Sequence, residues 1–288
     1  GSFTAAGERL GVSKAVVSHQ VSKLEEELGT SLIVRTTRRL QTTEQGRRFY
    51  VRCSALLRDA KNAFDEATLA SGEPTGCLRL TAPIDYGAVV VAPAIATYLQ
   101  KYPQMQVDMV FDDDVLDLVA EDVDLSIRVG WLDDSSHQAR RVGSFEQHLV
   151  CAPGLLAQSG LDIQSLAPQT IETLPWVANG ALKEPLRWAF THGDGEPVVV
   201  LGKGAVVTDK TPTAHACALA GVGLSVFPDF LVAPDIAAGR LVRLLPDWTL
   251  PSGGIHAVYP AARFRPAKVT AFVDILLLGE RLRVGAQA

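Results

Sequence analysis

The chain has 288 residues, 47% of them hydrophobic and 20% charged, with a net charge of −5. That composition excludes a disordered chain, and the length suits two or three domains. No apolar run reaches membrane-spanning length and no signal-peptide pattern opens the chain, so no membrane partner is expected.

The charge is unevenly spread. Residues 1–52 carry 9 Lys/Arg against 5 Asp/Glu, while the remainder carries 18 against 27. A basic head on an acidic body points to nucleic-acid contact confined to one end. Cys53, Cys77, Cys151 and Cys217 are far apart and form no CxxC pair. They read as buried reduced thiols of a cytosolic protein, rather than as a disulfide frame or a metal site.

A first helix is expected over Thr4–Leu10, with Ser2 or Thr4 as N-cap, before a turn at Gly11. Ser13 is placed to cap a second helix that runs to Leu28 and ends at Gly29. Val17, Val21, Leu24 and Leu28 recur at helical spacing as one buried stripe. Lys14, Ala15, Ser18, His19, Ser22 and Lys23 project elsewhere, as they would on a solvated face or on a face laid in a DNA groove. Ser31–Arg35 and Leu40–Thr42 read as two strands joined by the basic turn Thr36–Arg39. A hairpin with arginines at its tip, beside a helix-turn-helix, is a wing able to reach phosphates or the minor groove.

Thr42, with Gln45 three residues on, is read as the capping box of a long helix whose first turn Gly46 weakens. Phe49, Cys53, Leu56, Ala60, Ala63, Ala67 and Ala70 follow a heptad seam widened by Leu57 and Phe64, the pattern of a dimerisation helix. Ser71–Gly76 reads as a hinge.

From Cys77 the pattern becomes α/β. Strands are expected at Cys77–Ala82, Val107–Phe111 and Asp124–Val129, with helices at Tyr86–Tyr102 and Val115–Glu121; Leu149–Ala152 closes this first run. The second run is expected to hold Trp176–Val177, a helix Glu184–Phe190, strands Val198–Leu201 and Ala205–Val207, a helix Pro212–Ala220, a strand Leu224–Phe227 and a helix Asp229–Ala237. His256–Tyr259 and the helix Ala267–Leu282 return to the first lobe. Two such lobes leave a cleft between strand ends and helix N-termini.

Asp112–Asp114 with Asp117 precedes a helix and lacks the glycine spacing of a calcium loop. His137, His148, His192, His215 and His256 are scattered, and no GxSxG, HExxH or P-loop pattern occurs. No metal site, no cofactor and no enzyme activity are expected.

Taken together, Gly1–Ala6, Leu10–Ser13, Val17–Val21, Leu24–Glu25, Leu28–Gly29, Leu32 and Arg35–Gly46 resemble the LysR-type transcriptional regulator family. The resemblance continues through Leu80–Pro83, Asp124–Gly130, Ala218–Gly223 and Ala238–Leu241. It implies an α+β multi-domain chain: a winged helix-turn-helix (first helix missing), a long linker helix, and a two-lobed α/β effector domain resembling type II periplasmic binding proteins. The corresponding boundaries are 1–43 for the DNA-binding domain, 44–71 for the linker, 72–76 for the hinge and 77–288 for the effector domain. The first lobe would take about 77–152 and 255–288, and the second about 153–254. The family's domain opens with another helix ahead of Gly1, and this sequence departs from it there. His19 stands where the family more often has Arg, a shorter and pH-dependent contact.

By the same resemblance, Ser13, Lys14, Ser18, His19, Gln20 and Lys23 are the candidates to touch double-stranded operator DNA from the recognition helix. Arg35, Thr37, Arg38 and Arg39 are the wing candidates. Effector-binding candidates are Pro83, Asp85, Tyr86 and Gly87 after the first strand, Arg128 and Gly130 at another strand end, and Thr208, Asp209 and Thr211 before a second-lobe helix. The implied effector is a small organic acid or aromatic, although Asp85 and Asp209 favour a hydroxyl or amine. The implied assembly is a homodimer through the linker helix that pairs into a homotetramer, in the bacterial cytoplasm and associated with the nucleoid. The alternative is a small-molecule binding protein without DNA function.

Overall fold

A computed structural model describes residues 2–35, 40–68, 73–113, 123–130, 138–160, 163, 166–260 and 265–285. The chain divides into two compact units near Ala67.

In the first unit, α1 (Phe3–Leu10) starts on Ser2, and α2 (Lys14–Leu28) starts on Ser13, whose hydroxyl accepts from the Val16 N–H at 3.3 Å. Both helices end on glycines in the left-handed conformation, Gly11 and Gly29. β1 (Ile33–Arg35) and β2 (Leu40–Thr42) pair as an antiparallel hairpin. Glu25 of α2 anchors it, one carboxylate oxygen accepting from the Leu32 N–H at 2.7 Å and the Ile33 N–H at 2.9 Å. The apolar stripe of α2 is less covered than its spacing suggests. Val17, Val21 and Leu24 are half-buried, and Leu28 is 43% exposed. A hollow of about 750 Å³, lined by Phe3, Ala6, Val17, Val21, Ile33 and Leu40 among others, lies against that stripe.

α3 (Glu44–Thr68) runs for 25 residues. Its cap is Thr43, one residue later than expected, because Thr42 is committed to β2. The Thr43 hydroxyl accepts from the Gly46 N–H at 2.9 Å and donates to the Ser31 carbonyl at 2.8 Å, tying the helix start to the wing. Gly46 is required there: a Cβ would lie 2.0 Å from the Leu32 carbonyl oxygen. On the expected seam Phe49 and Cys53 are half-buried, while Leu56 and neighbouring Leu57 are 68% and 72% exposed. Ala70 and the hinge residues Ser71 and Gly72 lie outside the described residues, as does the segment expected as a helix over Val115–Glu121.

In the second unit β3 (Gly76–Ala82) leads into α4 (Ile84–Tyr86), a π-helical turn (Gly87–Val91) and α5 (Ala92–Lys101). β4 (Met105–Phe111), β5 (Leu125–Gly130), β6 (Gln138–Phe145), β7 (Gln147–Cys151), α6 (Pro153–Ser159) and a 3-10 helix (Pro168–Thr173) follow. Next come β8 (Pro175–Asn179), β9 (Arg187–His192), β10 (Val198–Leu201), β11 (Lys203–Thr208) and α7 (Thr211–Leu219). The chain continues through β12 (Ser225–Pro228), α8 (Asp229–Ala237), β13 (Val242–Arg243), β14 (Trp248–Thr249), β15 (Gly253–Tyr259) and α9 (Ala267–Gly285).

The first lobe is a five-stranded sheet in the order β4-β3-β5-β15-β6. β3 is parallel to β4 and β5, and β15 is antiparallel to β5 and β6, so the late strand returns to the first lobe. Leu78, Leu80, Leu125, Ile127, Ile255 and Ala257 are buried along it, in one cluster with Tyr98, Phe272 and Leu276 from α5 and α9. These positions alternate along their strands, so one face of the sheet carries this cluster. The second lobe contains the sheets β12-β7-β13, β11-β8 and β10-β9-β14, with a parallel bridge from Trp176 to Leu224 joining β8 to the approach of β12.

Two expectations change. β7 pairs with β12 and β13, so the chain crosses to the second lobe at Glu146 rather than near residue 152. The segment expected as a helix over Glu184–Phe190 holds strand β9 from Arg187, paired with β10. There Trp188 and Phe190 are buried at a spacing of two, and that period outweighs the helical appearance of Glu184–Leu186.

Candidate DNA-binding and effector sites

On α2 the cap at Ser13 fixes where the helix begins and therefore which way its polar side chains face. Ser13, Lys14, His19, Gln20 and Lys23 are exposed, and Ser18 is half-buried. Lys23 lies 4.0 Å from Glu27, with both side chains more than 60% exposed, a pairing too solvated to hold the lysine. Arg35 ends β1, while Thr37, Arg38 and Arg39 lie outside the described residues.

Within the second unit, a cleft of about 260 Å³ opens between the lobes. Pro83, Asp85, Asp113, Val129, Gly130 and Phe145 line it from the first lobe, and Gln147 from the crossover. Asn179, Ala181, Leu182, Thr211, Val226, Phe227 and Pro228 line it from the second. Of the residues expected from sequence, the cleft thus brings together Pro83, Asp85, Gly130 and Thr211. The other five lie elsewhere. Tyr86 is fully buried, its hydroxyl donating to Glu280 at 2.9 Å, and Gly87 is packed under the Phe111 ring. Successive residues of a helical turn point different ways, so only Asp85 of this trio faces the opening. Arg128 sits in mid-sheet register with His256, and burial lowers its pKa. Asp209 is turned to solvent beside Lys210, and the Thr208 hydroxyl is folded back onto the Lys210 N–H.

Asp113, Gln147 and Asn179 are cleft residues that the sequence reading did not select. Topology could have indicated Asp113. β3 and β4 are parallel with Ala82 opposite Phe111, so the residues after both strands emerge side by side. The same holds for Asn179, opposite Thr208 on the parallel strands β8 and β11.

The cleft's electrostatics are acidic. Burial raises the Asp85 pKa above its ordinary value, with the Asp113 charge adding to the rise and a hydrogen bond from the Tyr86 N–H opposing it. Asp113 accepts from the Ile84 N–H at 3.1 Å through one oxygen, and the other makes no hydrogen bond, with Lys210 Nζ 3.8 Å away. Gln147 is 9% exposed, and its amide oxygen has no hydrogen-bond partner. Asn179 donates to the Thr211 hydroxyl at 3.0 Å and accepts from the Ala181 N–H at 3.1 Å.

Behind the cleft, charged groups join the lobes. Arg283 of α9 donates to Asp229 at 2.7 Å, to Glu280 at 2.8 Å and to the Ser144 carbonyl. Asp229 accepts from the Glu146 N–H at 3.3 Å, where the chain crosses. Among the described residues no group of three or more His, Cys, Asp or Glu is placed to hold a metal ion. Cys53, Cys77, Cys151 and Cys217 are free thiols; only Cys151 is fully buried, and burial pushes it up to about 12. No helix among the described residues is long and apolar enough to cross a membrane.

The N-terminal 1–47 match the bacterial regulatory helix-turn-helix protein model of the lysR family, and residues 71–279 match the LysR substrate binding domain model. The chain belongs to the LysR family of transcriptional regulators. It is 40% identical over 275 residues to the HTH-type transcriptional regulator PtxR of Pseudomonas aeruginosa, covering 96% of this chain and 87% of that protein. CrgA of Neisseria meningitidis, a LysR-type regulator of known structure, superposes with a TM-score of 0.63 at 27% identity over 96% of this chain and 93% of that one. The Vibrio cholerae virulence activator AphB gives 0.62 at 26% identity with the same coverage. The chain therefore combines a helix-turn-helix DNA-binding domain with an effector-binding domain, and its family consists of regulators rather than enzymes. LysR regulators bind operator DNA and small-molecule effectors and form oligomers.

Proposed function

We propose that α2 lies in the major groove of an operator, with Ser13, Lys14, Ser18, His19, Gln20 and Lys23 as its contacts and Arg35, Thr37, Arg38 and Arg39 on the adjacent backbone or minor groove. The observation that carries this is the Ser13 cap, which starts α2 so that Lys14, His19, Gln20 and Lys23 are exposed while Val17, Val21 and Leu24 turn inward. Two heads are paired through α3, whose Leu56 and Leu57 are exposed in the single chain, and dimers associate into a homotetramer in the bacterial cytoplasm. The effector occupies the inter-lobe cleft beside Pro83, Asp85, Gly130 and Thr211, and it controls DNA binding by favouring one arrangement of the paired heads over another.

Substitutions on α2 separate the two kinds of contact. Lys14→Ala should weaken binding similarly on all sequences and reduce the salt slope by about one. Gln20→Ala should cost about 1–3 kcal/mol of discrimination at one base step with little change in slope. Both are read by fluorescence anisotropy on operator and scrambled duplexes. Unchanged affinity, slope and discrimination in both variants would remove α2 from the interface.

A further inference from the structure

The cleft differs from an anion site in who already occupies its N–H groups. At the start of α4 the Ile84 N–H goes to Asp113, the Tyr86 N–H to Asp85 and the Gly87 N–H to the Pro83 carbonyl. At the start of α7, Pro212 has no N–H, and those of Thr213 and Ala214 go to the Lys210 carbonyl. These five N–H donors are thus spent on the chain's own acceptors. Nor do the described lining residues include an arginine, lysine or histidine. Among the fully buried side-chain atoms of the cleft, those left without a hydrogen bond are acceptors: one oxygen of Asp113, and the amide oxygen of Gln147, a side chain nine-tenths buried. A buried acceptor without a donor is costly, and a bound ligand removes the cost by donating to it.

We propose that the cleft takes a small cationic amine with an apolar body, its ammonium group received by the Asp113 carboxylate and the Gln147 amide oxygen. The proposal rests on reading this cleft as the effector site. Two carboxylates face it, and Lys210 lies 3.8 Å from Asp113 and 4.0 Å from Asp209. A ligand cation would therefore reduce the net negative charge of these groups. Phe145, Leu182, Val226 and Phe227 supply apolar surface for the rest of the molecule, and a volume of about 260 Å³ limits it to a small one. Asp85, raised by burial and by Asp113, would be relieved by the same cation.

Three probes of matched shape test the charge: benzylamine, benzyl alcohol and benzoate, each titrated into the full-length protein by calorimetry and followed by thermal shift. Benzylamine should bind and raise the melting temperature, benzyl alcohol should bind less tightly, and benzoate should not bind. Asp113→Asn, which keeps an acceptor for the Ile84 N–H, and Gln147→Leu should each weaken benzylamine about tenfold. Gln147→Glu, nearly the same size with a full charge, should strengthen it, which a purely structural role for Gln147 would not produce. Benzoate binding as well as benzylamine, or benzylamine not binding, overturns the proposal. Ala181→Trp, which fills the cleft, separates this from failure of the site itself. If it abolishes binding of a preferred acid, the cleft reading stands and the amine falls. If binding of the probes survives it, the cleft reading falls as well.

Discussion

Two acidic regions sit where the lobes of the effector domain meet, and they are built in opposite ways. Behind the cleft, Asp229 and Glu280 are 5% and 1% exposed, and both are held by Arg283, with the Tyr86 hydroxyl completing Glu280. Every carboxylate there has a permanent partner. In the cleft, Asp113 has only the half-exposed Lys210 at 3.8 Å, no buried cation pairs with Asp85 or Asp113 among the described residues, and the Gln147 amide oxygen is left without a donor. The first arrangement holds the lobes together. The second is less stable by itself, and the deficit lies at the proposed effector site. The outward face of α2 follows the same logic at the surface, with Lys14, His19 and Gln20 exposed.

The sharpest way to break this comparison is on the paired side. Arg283→Ala leaves Asp229 and Glu280 buried without their cation and should cost about 3–5 kcal/mol, measured by urea unfolding of the effector domain's transition. A loss below about 1 kcal/mol would show that the pairing is not structural. On the cleft side the sign reverses. Gln147→Leu removes an unpartnered buried acceptor at similar volume and should stabilise the ligand-free protein, on the order of 1–3 kcal/mol. Destabilisation would mean that the amide is satisfied in solution.

Asp85→Asn should give a smaller, pH-dependent gain. A carboxyl whose pKa is raised by folding helps the folded state below the ordinary value of 3.8 and loses that contribution as the pH rises through the folded value. Asn cannot ionise, so its advantage over wild type should grow from about pH 3 to about pH 7 and vanish at the acid end. Melting temperatures across that range check it. Smallest of all, Ser13→Ala should cost about 0.5–2 kcal/mol at the first turn of α2, read by hydrogen exchange at Val16.

Local signals carried most of the head. Ser13, Gly11 and Gly29 mark helix ends by their own chemistry, and the structure uses all three in those roles. What needed the fold was anything set by two distant segments. Asp113 looked like one acid in a run until the register of β3 and β4 put it beside Asp85. Gln147 had no local mark, because its isolation follows from the crossing at Glu146. Tyr86 and Gly87, next to Asp85 in sequence, are turned into the core by one turn of helix. Gly46, expected to weaken α3, is instead the residue that lets the wing carbonyl of Leu32 approach.

The central claim is that this chain reads DNA through α2, and the most direct measurement is equilibrium binding of the full-length protein to DNA from upstream of its own gene. Affinity is followed across a salt series against a scrambled duplex of equal length. The account predicts binding that weakens steeply with salt, prefers the natural sequence, and loses that preference in Gln20→Ala. Equal affinity for natural and scrambled DNA at every salt concentration would contradict it.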